Sequence, residues 1–148
     1  MRNLFFILAL TVLTGSVGAT YAQDTETVDS CSSRMSQPLG SGAFTKKRYS
    51  IAGNWELQKN CTSHQLSFDE DFKTKGGPDL KIYLSKLPLS ELGNTTVEDN
   101  SLKLSVLKSA KGMQSYTIPL ETDLSEYKSV IIHCEAFSVL WGGFDLPQ

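Results

Sequence analysis

Cysteine and histidine are the side chains best suited to chemistry in this sequence, which has three cysteines and two histidines. In an oxidising compartment two of the cysteines would pair and one thiol would remain, and three pairings are open. Cys31 lies in a loose N-terminal segment and Cys61 in a turn between strands, so both can adopt the narrow geometry of a disulfide. We therefore predict a Cys31–Cys61 disulfide and a free thiol at Cys134.

Cys134 itself has two interpretations. It lies in an apolar strand in phase with Val130 and Ile132, where a free cysteine is commonly a small core residue. A reactive thiol would instead need a cation, a helix N-terminus or a base beside it. His133 is adjacent, but successive side chains of a strand point to opposite faces, so the two residues cannot form a dyad or chelate one metal in a regular strand. His64 could approach from another strand, although the sequence does not place it there.

Motifs for metal binding, hydrolysis and phosphate binding are missing from the sequence. There is no C-x-x-C, H-E-x-x-H or EF-hand spacing, and no nucleophile elbow or glycine-rich phosphate loop. We therefore predict no metal site and name no cofactor, and whether the protein is an enzyme stays open. The acidic residues 69–71 fit a solvated turn. The basic residues 46–48 form too short a run for a nucleic-acid interface, so we predict no nucleic-acid partner.

Composition places the chain among ordinary soluble globular proteins. Its 148 residues are 40% hydrophobic and 20% charged, with a formal net charge of −2. These values exclude collagen-like repeats, long disorder and a supercharged nucleic-acid binder. The length suits one domain.

The N-terminus has the three parts of a secretory signal peptide. Arg2 supplies the positive start, residues 4–13 form an apolar run, and small residues precede a cleavage site after Ala22, with Ala19 as the alternative. The apolar run is too short to span a membrane. We predict an extracytoplasmic protein, periplasmic or secreted, that does not stay inserted in a membrane after the signal, residues 1–22, is removed.

Two regions of different character follow the predicted signal. Residues 23–42 are rich in Ser, Thr, Asp and Gly and hold few large apolar side chains, which favours a flexible lead-in. Residues 43–148 alternate apolar and polar side chains with period two, as strands with one buried face do. The run 130–137 is apolar on both faces, which is typical of a central strand. Glycine-containing turns, such as residues 76–79, separate the runs.

This pattern predicts an all-β fold, an antiparallel β-sandwich or barrel of about seven to eight strands. The alternating apolar positions are Tyr49, Ile51, Trp55, Leu57, Leu66, Phe68, Leu80, Ile82, Leu84, Leu102, Leu104, Val106, Tyr116 and Ile118.

Three segments together resemble a known family. They are DFKTKGGPDLKIYLS (residues 71–85), LKSAKGMQSYTIP (residues 107–119) and DLSEYKSVIIHCEAFSVLWGGFDL (residues 123–146). In order and spacing they are similar to the DM-thirteen domain, also called the electron-transfer DM-thirteen domain. The resemblance covers residues 42–146. It rests on the Gly-Pro-Asp-Leu turn before a Tyr-Leu-Ser strand, the Gly-x-Gln-x-Tyr-x-x-Pro run and the last cysteine-containing strand.

The resemblance implies a compact β-fold and a redox or electron-transfer role around one cysteine, which corresponds to Cys134. The partner would then be a redox protein or a cell-surface protein. His133 stands where the family commonly has an aromatic residue, and Phe144 where a small residue is common. His133, Trp141 and Phe144 are the residues that we expect to contact a partner.

The alternative function is a non-catalytic extracytoplasmic binding module for a carbohydrate or a protein. Exposed aromatic side chains at Trp141, Phe144 and Tyr83 would support it, together with an exposed apolar patch beside the last strand.

Overall fold

The computed structural model describes residues 36–147, which form a β-sandwich. Eight strands of six or seven residues make two antiparallel sheets, and three two-residue strands complete the fold. The strands are β1 (Gln37–Ala43), β2 (Thr45–Lys46), β3 (Ile51–Ala52), β4 (Asn54–Lys59), β5 (Ser63–Phe68), β6 (Lys73–Thr74), β7 (Leu80–Ser85), β8 (Ser101–Val106), β9 (Gln114–Pro119), β10 (Ser129–Cys134) and β11 (Val139–Asp145). The predicted all-β antiparallel class is confirmed.

The strand order places the apolar strand at the centre of its sheet. The first sheet has the order β1-β4-β5-β9 and the second β2-β11-β10-β7-β8, while β3 and β6 pair separately. Every residue of β10 is buried. Its central position explains why its sequence is apolar on both faces, since one face meets the other sheet and the opposite face is also covered.

In the described part of the chain, helical structure is limited to single turns. One α-helical turn, α1, spans Val97–Asn100, and two 3₁₀ turns span Leu124–Glu126 and Glu135–Phe137. Within residues 36–147, no helix is long and apolar enough to cross a membrane.

Two apolar cores lie on the two faces of the second sheet. The main core lies between the sheets and contains a continuous aromatic group, in which Trp55 stacks on Phe144 at 4.1 Å between ring centroids. The smaller core lies on the outer face of the second sheet, beneath residues 86–100, which we call the cover segment. The residues of the smaller core are Tyr83, Leu89, Leu92, Val97, Ile131 and Leu140.

The predicted flexible lead-in is corrected at its C-terminal end. Gln37–Ala43 is strand β1, paired with β4, and residues 23–35 lie outside the described part of the chain. All seven β1 residues are exposed or half-buried, so the strand is held mainly by main-chain pairing, and side-chain composition did not reveal it. Its glycines have a packing role, because a Cβ at Gly42 would lie 3.3 Å from Trp55 Nε1.

The turn before β7 does not use its glycines for positive φ. Glycines at 76 and 77 suggest positive φ, but the residue with positive φ in this turn is Asp79, at 58°. Gly77 serves another purpose, since a Cβ there would approach the Trp141 ring to 2.8 Å. The chain also bends at Gly53, where φ is 98°.

Candidate functional site at the end of strand β10

Cys134 is the last residue of β10 and faces the main core. It is a free cysteine with no exposed surface. Its Sγ donates a hydrogen bond to the main-chain carbonyl of Pro78 at 2.9 Å, and the Glu135 N–H donates to the Asp79 carbonyl at 3.2 Å. These two contacts join the end of β10 to residues 76–79, which we call the 76–79 turn.

The position of Cys134 limits what it can do in this conformation. A redox thiol must be accessible to its partner or border a pocket, whereas the sulfur of Cys134 is enclosed. The Pro78 and Asp79 residues are exposed, so the 76–79 turn lies between the sulfur and solvent. Lys81 forms an ion pair with Asp79, which fixes the end of this turn to strand β7.

His133 lies on the opposite face of β10 from Cys134. It is fully buried next to the smaller core, and its ring meets the Tyr83 ring edge-on at 6.0 Å between centroids. Burial lowers the pKa of His133, and the negative charges of Glu98 and Glu135 oppose only part of this effect. The strand geometry therefore keeps the imidazole away from the thiol, as the alternation of side chains predicts.

A polar cluster beside the smaller core was not found by sequence reasoning. Tyr83 donates a hydrogen bond to Glu135, which also forms an ion pair with Lys103. Burial, and then the hydrogen bond to Glu135, raise the pKa of Tyr83, whereas Lys103 and Tyr83 lower the pKa of Glu135. These residues lie on three different segments, β7, β8 and the turn after β10. No local spacing in the sequence joins them.

The expected partner-contact residues do not present a surface. His133, Trp141 and Phe144 are all buried, and so is Tyr83. Trp141 packs on Tyr49 at 4.1 Å between centroids and donates from Nε1 to the Lys75 carbonyl at 2.9 Å. The aromatic side chains proposed for a binding module therefore belong to the two apolar cores and do not form an exposed patch.

The Gly-x-Gln-x-Tyr run has a structural role. Gln114 Oε1 accepts hydrogen bonds from the Tyr116 hydroxyl at 2.6 Å and from the Ser109 N–H at 3.2 Å. Its Nε2 donates to the carbonyls of Ser109 and Gly112 at 3.0 and 3.3 Å. Tyr116 in turn accepts from the Lys108 N–H at 3.0 Å. One amide and one phenol thus fix the loop between β8 and β9.

Two of the predictions concern residues outside the described range. The signal peptide and Cys31 both precede residue 36, so signal cleavage and the Cys31–Cys61 disulfide stay predictions. Among residues 36–147, no group of three or more His, Cys, Asp or Glu side chains is arranged to hold a metal ion.

The burial of His133 predicts a loss of stability in mild acid. The pKa of this histidine is lower in the folded protein than in the unfolded chain, where it is about 6.5. The unfolded chain therefore binds the proton first as the pH drops below about 6.5, and the free energy of unfolding falls. At about pH 5.5 one such residue accounts for a loss of up to about 1.4 kcal/mol. We expect urea unfolding of His133→Leu to show a weaker dependence on pH between about 7.5 and 5.5.

The matched control for this test is His64→Leu. Burial, followed by the charge of Lys59, also lowers the pKa of His64, but this residue keeps 8% of its surface exposed. It should contribute the smaller share of the pH dependence. A His133→Leu variant with the same pH dependence as the parent would show that this imidazole is not buried in solution.

The fold and this site define a β-sandwich domain with one buried free thiol at the end of its central strand. Residues 43–146 match the family model for electron transfer DM13, and the chain belongs to that family. The resemblance drawn from the three sequence segments is therefore confirmed. Comparisons with curated proteins and with solved structures found no match.

Proposed function

We propose that this protein is an exported electron-transfer domain whose redox group is the Cys134 thiol, reached when the 76–79 turn opens. The observation that carries the proposal is the hydrogen bond from Cys134 Sγ to the Pro78 carbonyl. It puts the family's characteristic cysteine directly beneath an exposed turn and not at the centre of the domain.

Membership of the electron transfer DM13 family supports the general class of function. Cys134 is assigned as the redox residue because reversible oxidation is the ordinary chemistry of a thiol. The predicted signal peptide supports an extracytoplasmic location, where disulfides form and persist. A partner that carries a disulfide is therefore the fitting redox partner.

The chemical step is thiol–disulfide exchange. The Cys134 proton leaves to solvent when the turn opens, and the resulting thiolate attacks one sulfur of the partner's disulfide. A bond forms between Cys134 Sγ and that sulfur, the partner's S–S bond breaks, and the second partner sulfur leaves as a thiolate that takes up a proton. Cys134 is oxidised to a mixed disulfide and the departing sulfur is reduced.

The proposal is tested by the rate at which Cys134 reacts with the aromatic disulfide 5,5′-dithiobis(2-nitrobenzoic acid). We expect a slow reaction with native protein whose rate is insensitive to low urea, since local opening exposes little additional surface. Pro78→Gly should raise the rate about two- to fivefold by loosening the turn. Pro88→Gly, the same change in the cover segment, should leave it unchanged, and Cys134→Ala should abolish it.

A reaction that follows global unfolding at every urea concentration, in the parent and in Pro78→Gly alike, would make Cys134 a core residue and overturn the proposal.

A further inference from the structure

The outer face of the first sheet carries a groove that the redox function does not use. It has a volume of about 780 Å³ and lies across strands β1, β4, β5 and β9. Its lining includes Ser41, Glu56, Gln65, Ser67 and Ser115. Cys134 belongs to the other sheet, so the groove is separate from the thiol site.

Sheet register places one polar side chain from every strand in a single row of the groove. Ser41 pairs with Glu56, Glu56 with Ser67, and Ser67 with Ser115. Because neighbouring strands lie about 4.8 Å apart, the row is about 14 Å long. Trp55 and Leu57, the neighbours of Glu56 in β4, are buried, so the row faces away from the core.

The polar groups of this row, and the Gln65 amide beside it, are free to bind a ligand. Among the described residues, the side chains of Ser41, Ser67, Ser115 and Gln65 have no hydrogen-bond partner. Glu56 accepts one hydrogen bond, from Gln58 Nε2 at 2.7 Å. Hydroxyl and amide groups that are only hydrated can exchange water for ligand hydroxyls with little loss.

The charge and shape of the groove restrict the ligand further. Glu56 and Asp69 line it, and no Lys or Arg does, which disfavours phosphate, sulfate and carboxylate ligands. Its exposed apolar side chain is Met113, which is 76% exposed. Trp55 also lines the groove, and its Nε1–H has no partner among the described residues. The lining therefore combines small polar groups with apolar surface, and the apolar surface is the larger part of its exposed area.

We propose that this groove binds a neutral, polyhydroxylated ligand, namely a short stretch of uncharged glycan. Serine hydroxyls and the Gln65 amide would exchange hydrogen bonds with sugar hydroxyls, and the Glu56 carboxylate would accept from adjacent hydroxyl groups. Met113 would pack against the apolar side of a sugar ring. The domain would then hold its thiol chemistry close to a glycan surface.

The test is calorimetric titration of the purified protein with five neutral probes, the hexaoses of the cello, chito, manno, xylo and laminari series. Heparin and polygalacturonate serve as anionic probes. We expect binding of at least one neutral probe and of neither anionic one. Glu56→Gln should weaken that binding about tenfold or more, because it removes a charged acceptor, and Ser67→Val about two- to tenfold.

Thr117→Val is the matched control on the same sheet. Thr117 is exposed on β9 and pairs with Gln65, but it does not line the groove. This variant should bind like the parent. Failure of all five neutral probes at millimolar concentration, tighter binding of an anionic probe, or equal binding by Glu56→Gln, Ser67→Val and the parent would each overturn the assignment.

Discussion

Gly143→Ala is expected to lower the free energy of unfolding more than any other substitution considered for this protein. A Cβ at this position would lie 2.2 Å from the Val130 carbonyl oxygen and 2.9 Å from Ile131 Cα, both of which are main-chain atoms of β10. Main chain cannot rotate away as a side chain can, so the two central strands would have to separate. Forced overpacking costs about 3 kcal/mol or more, a large part of the stability of a domain of this size.

The matched control is Gly76→Ala. A Cβ at Gly76 meets nothing within 4 Å, and its φ is not positive, so the free energy of unfolding should change by less than about 0.5 kcal/mol. Urea unfolding followed by tryptophan fluorescence measures both variants. A Gly143→Ala protein as stable as Gly76→Ala would show that β10 and β11 do not pair in the register found here.

Gln114→Ala should produce the second large effect. The change removes four hydrogen bonds at once and leaves the Tyr116 hydroxyl and the main chain of Ser109 short of partners. Unsatisfied buried groups cost more than the mean hydrogen bond contributes, so we expect a loss of about 2–4 kcal/mol. Hydrogen exchange of residues 108–112 should also become faster, because the loop loses its central support.

Gln65→Ala is the control of the same type on the same sheet. Gln65 lies on the outer face without a hydrogen-bond partner among the described residues, so its removal should cost less than about 0.5 kcal/mol. Similar stabilities for the two variants would contradict the role given to Gln114. Tyr116→Phe should fall between them, since it removes one hydroxyl group but leaves the Gln114 amide its main-chain partners.

Much of the fold could be predicted because strand burial leaves a local record. Leu80, Ile82 and Leu84 alternate with Lys81 and Tyr83, and the structure places the first three in the main core. Tyr83 breaks the simple pattern, since it is buried on the outer face under the cover segment. The apolar run through Ile131 and Ile132 predicted a central strand for the same reason, and β10 is central.

Strand β1 and the polar cluster could not be predicted from local sequence patterns. The pairing of β1 with β4 uses main-chain groups, which nearly every residue has, so no side-chain pattern predicts it. The cluster of Tyr83, Lys103 and Glu135 depends on sheet order, which brings β8 beside β7 and β7 beside β10. Because these residues are far apart in the chain, no local sequence pattern predicts that they are in contact.

The sequence by itself determined the all-β class, the family, and the opposite orientations of His133 and Cys134, because alternation along one strand and ordered motifs are local properties. Only the tertiary structure decided that the thiol is enclosed beneath the 76–79 turn, that Trp141 and Phe144 fill the core, and that polar side chains of four strands form one groove. Exposure is set by what packs above a residue, and that depends on the arrangement of distant strands.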